Sequence, residues 1–149
     1  QNTFVGSYRA TGAAGQVQPQ GPGIEVVDSA IPEWTSTLRA DWSYGAWSAG
    51  WALRHLSELR EDCGDAVAFA VCGDQLNSRN TLAATTYHDL RAGYRWESSI
   101  GDVDLTVGIN NVFDKNPPIC LSCSLNGYDA STYDIPGGRF GYLRVDWKF

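Results

Sequence analysis

Methionine is absent from the 149 residues, and position 1 is Gln. Together these predict a processed chain or the tail of a longer polypeptide. Lysine occurs only at Lys115 and Lys148 and the formal charge is −6, so there is no basic stripe, and nucleic acid is not expected as a partner. No apolar run approaches the roughly 18 residues that mark a transmembrane helix, and no signal-peptide pattern is visible. A β-barrel in an outer membrane would show neither. Histidine is confined to His55 and His88, with no nucleophile pattern around either. There is no GxSxG, no HExxH and no phosphate-binding loop. Asp102 and Asp104 form a DxD on an alternating stretch beside a turn, which reads as face charge. "EDCGD" lacks the spacing of a calcium loop. The expectation is a non-enzyme with no cofactor and no bound metal.

What is plentiful is aromatic: six Trp and seven Tyr, against charged residues at only 19%. These aromatics fall in period-2 stretches. "EWTSTLRADWSY" places Trp34, Leu38, Ala40, Trp42 and Tyr44 opposite Thr35, Thr37, Arg39, Asp41 and Ser43. "AWSAGWALRHL" sets Trp47, Ala49, Trp51 and Leu53 opposite Ser48, Gly50 and Arg54. "YHDLRAGYRWE" sets Leu90, Ala92, Tyr94 and Trp96 opposite Asp89, Arg91, Gly93, Arg95 and Glu97. "GDVDLTVGINNVF" sets Val103, Leu105, Val107 and Ile109 opposite Asp102, Asp104, Thr106 and Asn110. In the closing "GGRFGYLRVDWKF", Leu143, Val145, Trp147 and Phe149 oppose Tyr142, Arg144, Asp146 and Lys148. These stretches predict five strands, with "NTFVGSYRA" as the end of a sixth.

Each strand is about ten residues long, where soluble strands average about five or six and membrane strands need about nine to eleven. Connections alternate between short, at Tyr44-Gly45 and Ser98–Gly101, and long, across 58–83 and 114–137, with a third long segment before residue 34. Outer-membrane barrels have short periplasmic turns and long extracellular loops in this way. A soluble sandwich would show the same local alternation; its core could not bury the charges that gather on one side here, and the plain alternative is that they form the solvated outer face of an ordinary sheet.

The four cysteines fall as two local pairs, Cys63/Cys72 and Cys120/Cys123. The second pair is a CxxC, which as a redox motif would need a strand before it and a helix after it; here loop lies on both sides. A zinc site would need converging ligands of the right kind. Two local disulfides, Cys63–Cys72 and Cys120–Cys123, stapling exposed loops in an oxidising compartment, are the favoured expectation.

"VGINNVFDKNPP" carries Asn111, Phe113, Asp114, Pro117 and Pro118, followed by Tyr133, Gly138-Arg139 and a final strand ending in Phe149. This order resembles the C-terminal end of TonB-dependent outer-membrane receptors, and "IPEWTSTLRADWSYG" resembles a strand–turn–strand pattern found further upstream in them. The likeness runs from about Ile31 to Phe149 and is densest after Gly108. It implies an all-β fold of antiparallel transmembrane strands. Residues 1–149 would supply the last five or six strands of a plugged 22-stranded barrel, with long extracellular loops and no plug domain. It implies uptake of a scarce nutrient such as a siderophore–iron complex, cobalamin, haem or an oligosaccharide. The implied partners are the rest of the barrel and plug, the TonB complex through an N-terminal part, outer-membrane lipid and the barrel-assembly machinery. Trp147 and Phe149 would form the assembly signal, although Arg144 stands where that signal prefers glycine. Ligand contacts would come from the long loops: Tyr128, Asp129, Tyr133 and Asp134, with Asp62, Asp65, Asp74 and Gln75 near the first cysteine pair. The plain alternative is that these are solvated loop residues. Two other classes share parts of the pattern: the end of a porin or autotransporter barrel, and a soluble carbohydrate-binding β-sandwich.

Overall fold

The computed structural model describes residues 1–7, 10–11, 17–18, 21–25, 30–62, 79–123 and 127–149. Among these the chain is all-β, with no helix. In chain order the strands are β1 (Asn2–Phe4), β2 (Ala10–Thr11), β3 (Val17–Gln18), β4 (Ile24–Glu25), β5 (Trp34–Tyr44) and β6 (Trp47–Leu56). They continue with β7 (Leu59–Asp62), β8 (Arg79–Leu82), β9 (Thr85–Ser98), β10 (Gly101–Asn110) and β11 (Phe140–Lys148).

One antiparallel sheet of six strands, in the order β1-β5-β6-β9-β10-β11, dominates. The alternation fixes which residues share a face, and the register lines those faces up across strands. Trp42, Ala49, Ala92, Val107 and Leu143 form one row, and Tyr44, Trp47, Tyr94, Leu105 and Val145 the next. Pairing one residue out of step would have put charge into these rows. The hairpin joining β5 to β6 turns on Gly45 and Ala46, with a left-handed φ of 57° at Gly45 and none at Ala46. A two-residue turn with glycine at its first central position matches the twist of the flanking strands. β9 and β10 are joined by an equally short turn, pairing Ser98 with Gly101.

The apolar face is open. Trp42 is 57% exposed, Val107 51% and Trp147 59%, so among the described residues no second sheet covers it as a sandwich would. Trp51 is half-buried; its indole N–H donates to His88 Nδ1 at 3.1 Å and its ring stacks on the imidazole. The chain exposes 10154 Å² for a mass of 16.3 kDa, where a closed globule of that mass exposes roughly 7,500 Å². A sheet uncovered on both faces produces an excess of that sign.

The buried core lies to one end, beyond the loop ends of β6 and β9. It consists of Leu56, Leu59, Leu82, Tyr87, Cys120, Tyr128 and Tyr133. The connections at this end carry structure of their own, a three-stranded sheet in the order β4-β7-β8, with β4 and β7 parallel. The sequence pattern predicts only long loop here. On β7 the side chains of Leu59 and Glu61 are both buried. A carboxylate on the inward face breaks the hydrophobic alternation by which a strand is recognised.

Candidate functional site

Three surfaces carry the chemistry: the apolar face, the polar face behind it, and the cap of loops at one end. Aromatic rings are most numerous toward the two ends of the apolar face, and the middle rows are mainly aliphatic, joined there by Trp42 and Trp51. At the turn end stand Tyr44, Trp47, Tyr94, Trp96, Trp147 and Phe149. Trp47 lies edge-on to Tyr94 at 4.7 Å between centroids, and Trp147 edge-on to Phe149 at 5.8 Å. At the loop end Trp34 meets His55 at 4.9 Å, and His88 lies against Phe113 at 5.1 Å. Between the two bands lie Leu38, Leu53, Leu90, Val107, Ile109 and Leu143, placed together by the register. Both histidines are engaged here, His55 with the Thr86 hydroxyl at 2.8 Å and His88 with Trp51.

The polar face is laced by ion pairs within and between strands. Arg91 reaches Asp41 across β6 at 2.5 Å, Arg95 meets Asp104 at 2.7 Å, and Lys148 approaches the same Asp104 at 3.9 Å. Arg144 pairs along its own strand with Asp146 at 2.6 Å. Exposed pairs of this kind are screened by water and add little to stability. Their consequence is a face that stays charged and wettable. Asp104 of the DxD is thereby matched by two cations. Gly108 allows a close approach on this face: a Cβ there would clash with the Cζ and hydroxyl end of Tyr142, which lies over it.

The cap ties together the residues that carry the family resemblance. Asn111 is buried and takes a left-handed φ of 49°, a conformation Asn tolerates better than most residues. Its side-chain amide donates to the Lys115 carbonyl at 2.9 Å and its side-chain oxygen accepts the Lys115 N–H at 2.8 Å. The Asn111 backbone N–H donates to Asp89 at 2.8 Å, pinning the loop to β9. Asp114 then ion-pairs with Arg139 at 3.3 Å, and Asn116 accepts the Gly137 N–H at 2.8 Å. Two motifs separated in sequence thus close one loop and return the chain to β11.

Of the residues expected to contact a ligand, Tyr128, Asp129 and Tyr133 are buried in the cap core. Asp129 organises the turn after it. It accepts the Ser131 N–H at 2.7 Å, the Ser131 hydroxyl at 2.6 Å and the Thr132 hydroxyl at 2.7 Å. Burial opposes its ionisation, but these hydrogen bonds outweigh burial and hold the carboxyl below the usual carboxylate range. Burial, reinforced by the charge of Glu25, pushes the Tyr133 phenol well above its ordinary value. Asp134 is half-exposed and pairs with Arg54 at 2.5 Å, while Arg54 also lies over the Tyr87 ring at 4.9 Å. Asp65, Asp74, Gln75 and the Cys63/Cys72 pair lie outside the described residues, as does the side chain of Asp62. Cys120 and Cys123 form a disulfide, with Cα atoms 5.5 Å apart.

Sequence reasoning missed Glu25 and Glu61. Both are buried, and they lie opposite one another where β4 and β7 pair. Glu61 accepts the Ser122 N–H inside the CxxC turn. No helix among the described residues is long and apolar enough to cross a membrane. No family model, curated protein or solved structure matches the chain.

Proposed function

We propose that this chain forms the last strands of a TonB-dependent receptor barrel in a bacterial outer membrane, an active transporter for a scarce small-molecule nutrient. The observation that carries the proposal is the two-faced sheet: one face apolar, exposed and banded by aromatic rings, the other charged. At about 3.3 Å per residue and a tilt of about 40°, the rise from Trp34 to Tyr44 is about 25 Å, the height of the apolar band of such barrels. Aromatic girdles at both edges of that band are their hallmark. Half-exposed in water, each large apolar side chain on this face gains about 1 kcal/mol on entering lipid, so the wall gains on the order of 10 kcal/mol in sum. Under this proposal the ion-paired face looks into the lumen, the cap faces outward, and Asp134 with Arg54 stands at the mouth. The free edges of β11 and β1 need further strands, because unpaired edges are not tolerated in lipid. Those strands and the plug are the partners. TonB supplies energy through the plug, and Trp147 and Phe149 address the assembly machinery.

The test is energised uptake in cells that depend on the receptor, with ferric siderophores, cobalamin, haem and oligosaccharides offered in turn. Uptake of one of them should vanish when residues 140–149 are removed, and again when the proton-motive force is collapsed. Uptake indifferent to the uncoupler would support a passive porin instead. A water-soluble monomer whose tryptophan fluorescence is quenched by sugar would support a carbohydrate-binding protein and end the transporter reading.

A further inference from the structure

The cap holds a donor set for which nutrient uptake has no use. Cys120 is buried and Cys123 half-buried, at the two ends of a CxxC turn, and behind them stand Glu25 and Glu61. Glu61 Oε1 lies 3.6 Å from Cys120 Sγ, and Glu25 Oε1 lies 3.8 Å from Cys123 Sγ. A disulfide sulfur carries no proton, so neither contact is a hydrogen bond in the oxidised chain. One oxygen of Glu25 and both sulfurs lie within 4.8 Å of one another. A tetrahedral metal with bonds of about 2.3 Å to sulfur and 2.0–2.2 Å to oxygen sets its ligand atoms about 3.5–3.8 Å apart. The Glu25–Cys123 separation of 3.8 Å already lies at the edge of that range, Glu25 and Cys120 are within 4.8 Å, and the sulfur–sulfur bond has to open.

We propose that, once this disulfide is reduced, the Cys120–Cys123 turn binds a thiophilic divalent cation of the Zn²⁺ type. Both thiolates and the Glu25 carboxylate are its ligands, and Glu61 positions the turn through the Ser122 N–H. The fourth coordination position is left to water or to a group the cation brings. The Tyr133 hydroxyl is buried with no hydrogen-bond partner among the described residues, and it is close enough to Glu25 to feel that carboxylate's charge. It is a spare donor beside the site.

The redox step consumes two equivalents of a small thiol. A thiolate attacks Cys123 Sγ, the more accessible sulfur, and Cys120 leaves. A second thiolate then resolves the mixed disulfide. Each cysteine ends with one added electron and one proton, and the two small thiols end as their disulfide. Ionised thiols beside buried carboxylates would concentrate negative charge in the cap core, which is costly. A dication supplies the counter-charge, so its binding releases both thiol protons to solvent. The oxidised turn has no such ligands to offer.

The experiment uses the detergent-solubilised receptor that contains this chain, reduced with a phosphine and titrated with Co²⁺ and then with Zn²⁺. Thiolate-to-cobalt charge-transfer absorption counts the metal–sulfur bonds, and equilibrium dialysis gives the stoichiometry. One equivalent of Co²⁺, displaced by Zn²⁺, is expected in the reduced chain and in Cys63→Ser/Cys72→Ser. It is expected to vanish in the oxidised chain and in Cys120→Ser/Cys123→Ser. Glu25→Gln, which keeps both sulfurs, should weaken binding about tenfold or more. Far-UV circular dichroism verifies that each variant keeps the sheet, whose long strands lie outside the cap. No absorption band in the reduced chain overturns the proposal, as does a band that follows Cys63 and Cys72 or survives loss of Cys120 and Cys123. None of these results bears on energised uptake, so the two proposals fail separately.

Discussion

Val107→Arg separates a wall that faces lipid from one that faces water. Val107 sits mid-strand on β10, 51% exposed, with Ala92 and Leu143 beside it in register. The substitution fills no cavity and breaks no hydrogen bond, so its cost depends on the solvent outside the sheet. In water, an exposed change of this kind stays within about 0.5 kcal/mol, a factor of about two. At the midplane of a bilayer, arginine on the lipid face of a barrel costs about 2–4 kcal/mol, a shift of about 30- to 700-fold in the folding equilibrium. Ser43→Arg on the charged face is the matched control, exposed and two residues from Asp41, with an expected cost near zero. The assay is urea unfolding of the assembled barrel in phospholipid vesicles, followed by tryptophan fluorescence. Equal midpoints for Val107→Arg and the wild type, or equal losses for the two arginine variants, would refute the assignment of the apolar face to lipid.

Three further outcomes follow from the geometry. Gly108→Ala forces Tyr142 off β10 and should cost about 1–3 kcal/mol by the same urea assay; pairing it with Tyr142→Ala should restore part of the loss. Asp129 titrates in the fold below its unfolded value, so more protons bind the unfolded chain. Its contribution is full above the ordinary carboxylate range near pH 4 and is lost as pH falls through the lowered folded value. Near-UV circular dichroism from the packed Tyr128 and Tyr133 should therefore fade on acidification below that range, and Asp129→Asn should remove this limb of the pH dependence. Phe149 is fully exposed, with its ring against Trp147, so Phe149→Ala should cost about 1 kcal/mol in the urea assay, its gain on entering lipid, while lowering the yield of membrane-inserted barrel in cells by far more, measured by outer-membrane fractionation.

The long strands were legible because their two faces differ in kind at every second residue, from Trp34 through Phe149. The turns were legible because Gly45 and Gly101 punctuate that pattern at close spacing. The cap was read less well, and the reason is physical. Its inward side chains include Glu25, Glu61 and Asp129, which are satisfied by neighbours that sequence does not bring together. Ser122 lies 61 residues from Glu61. Tyr128, Asp129 and Tyr133 are expected at the surface because aromatic and acidic residues in a loop usually face solvent, and the structure buries all three. One local signal bears on Asp129: Asp followed two and three residues later by Ser and Thr is the pattern of a side chain that caps its own turn. The pairing of Asp114 with Arg139 is likewise invisible until the loop closes.

The central claim is that the apolar face meets acyl chains while the charged face meets water. Spin labels placed one at a time at residues 102–107 and 109 of β10 in the bilayer-embedded barrel test it most directly, by collision with oxygen from the lipid phase and with a nickel chelate from the aqueous phase. The account predicts a period of two, with Val103, Leu105, Val107 and Ile109 open to oxygen and Asp102, Asp104 and Thr106 open to nickel. Nickel reaching both sets alike would contradict it.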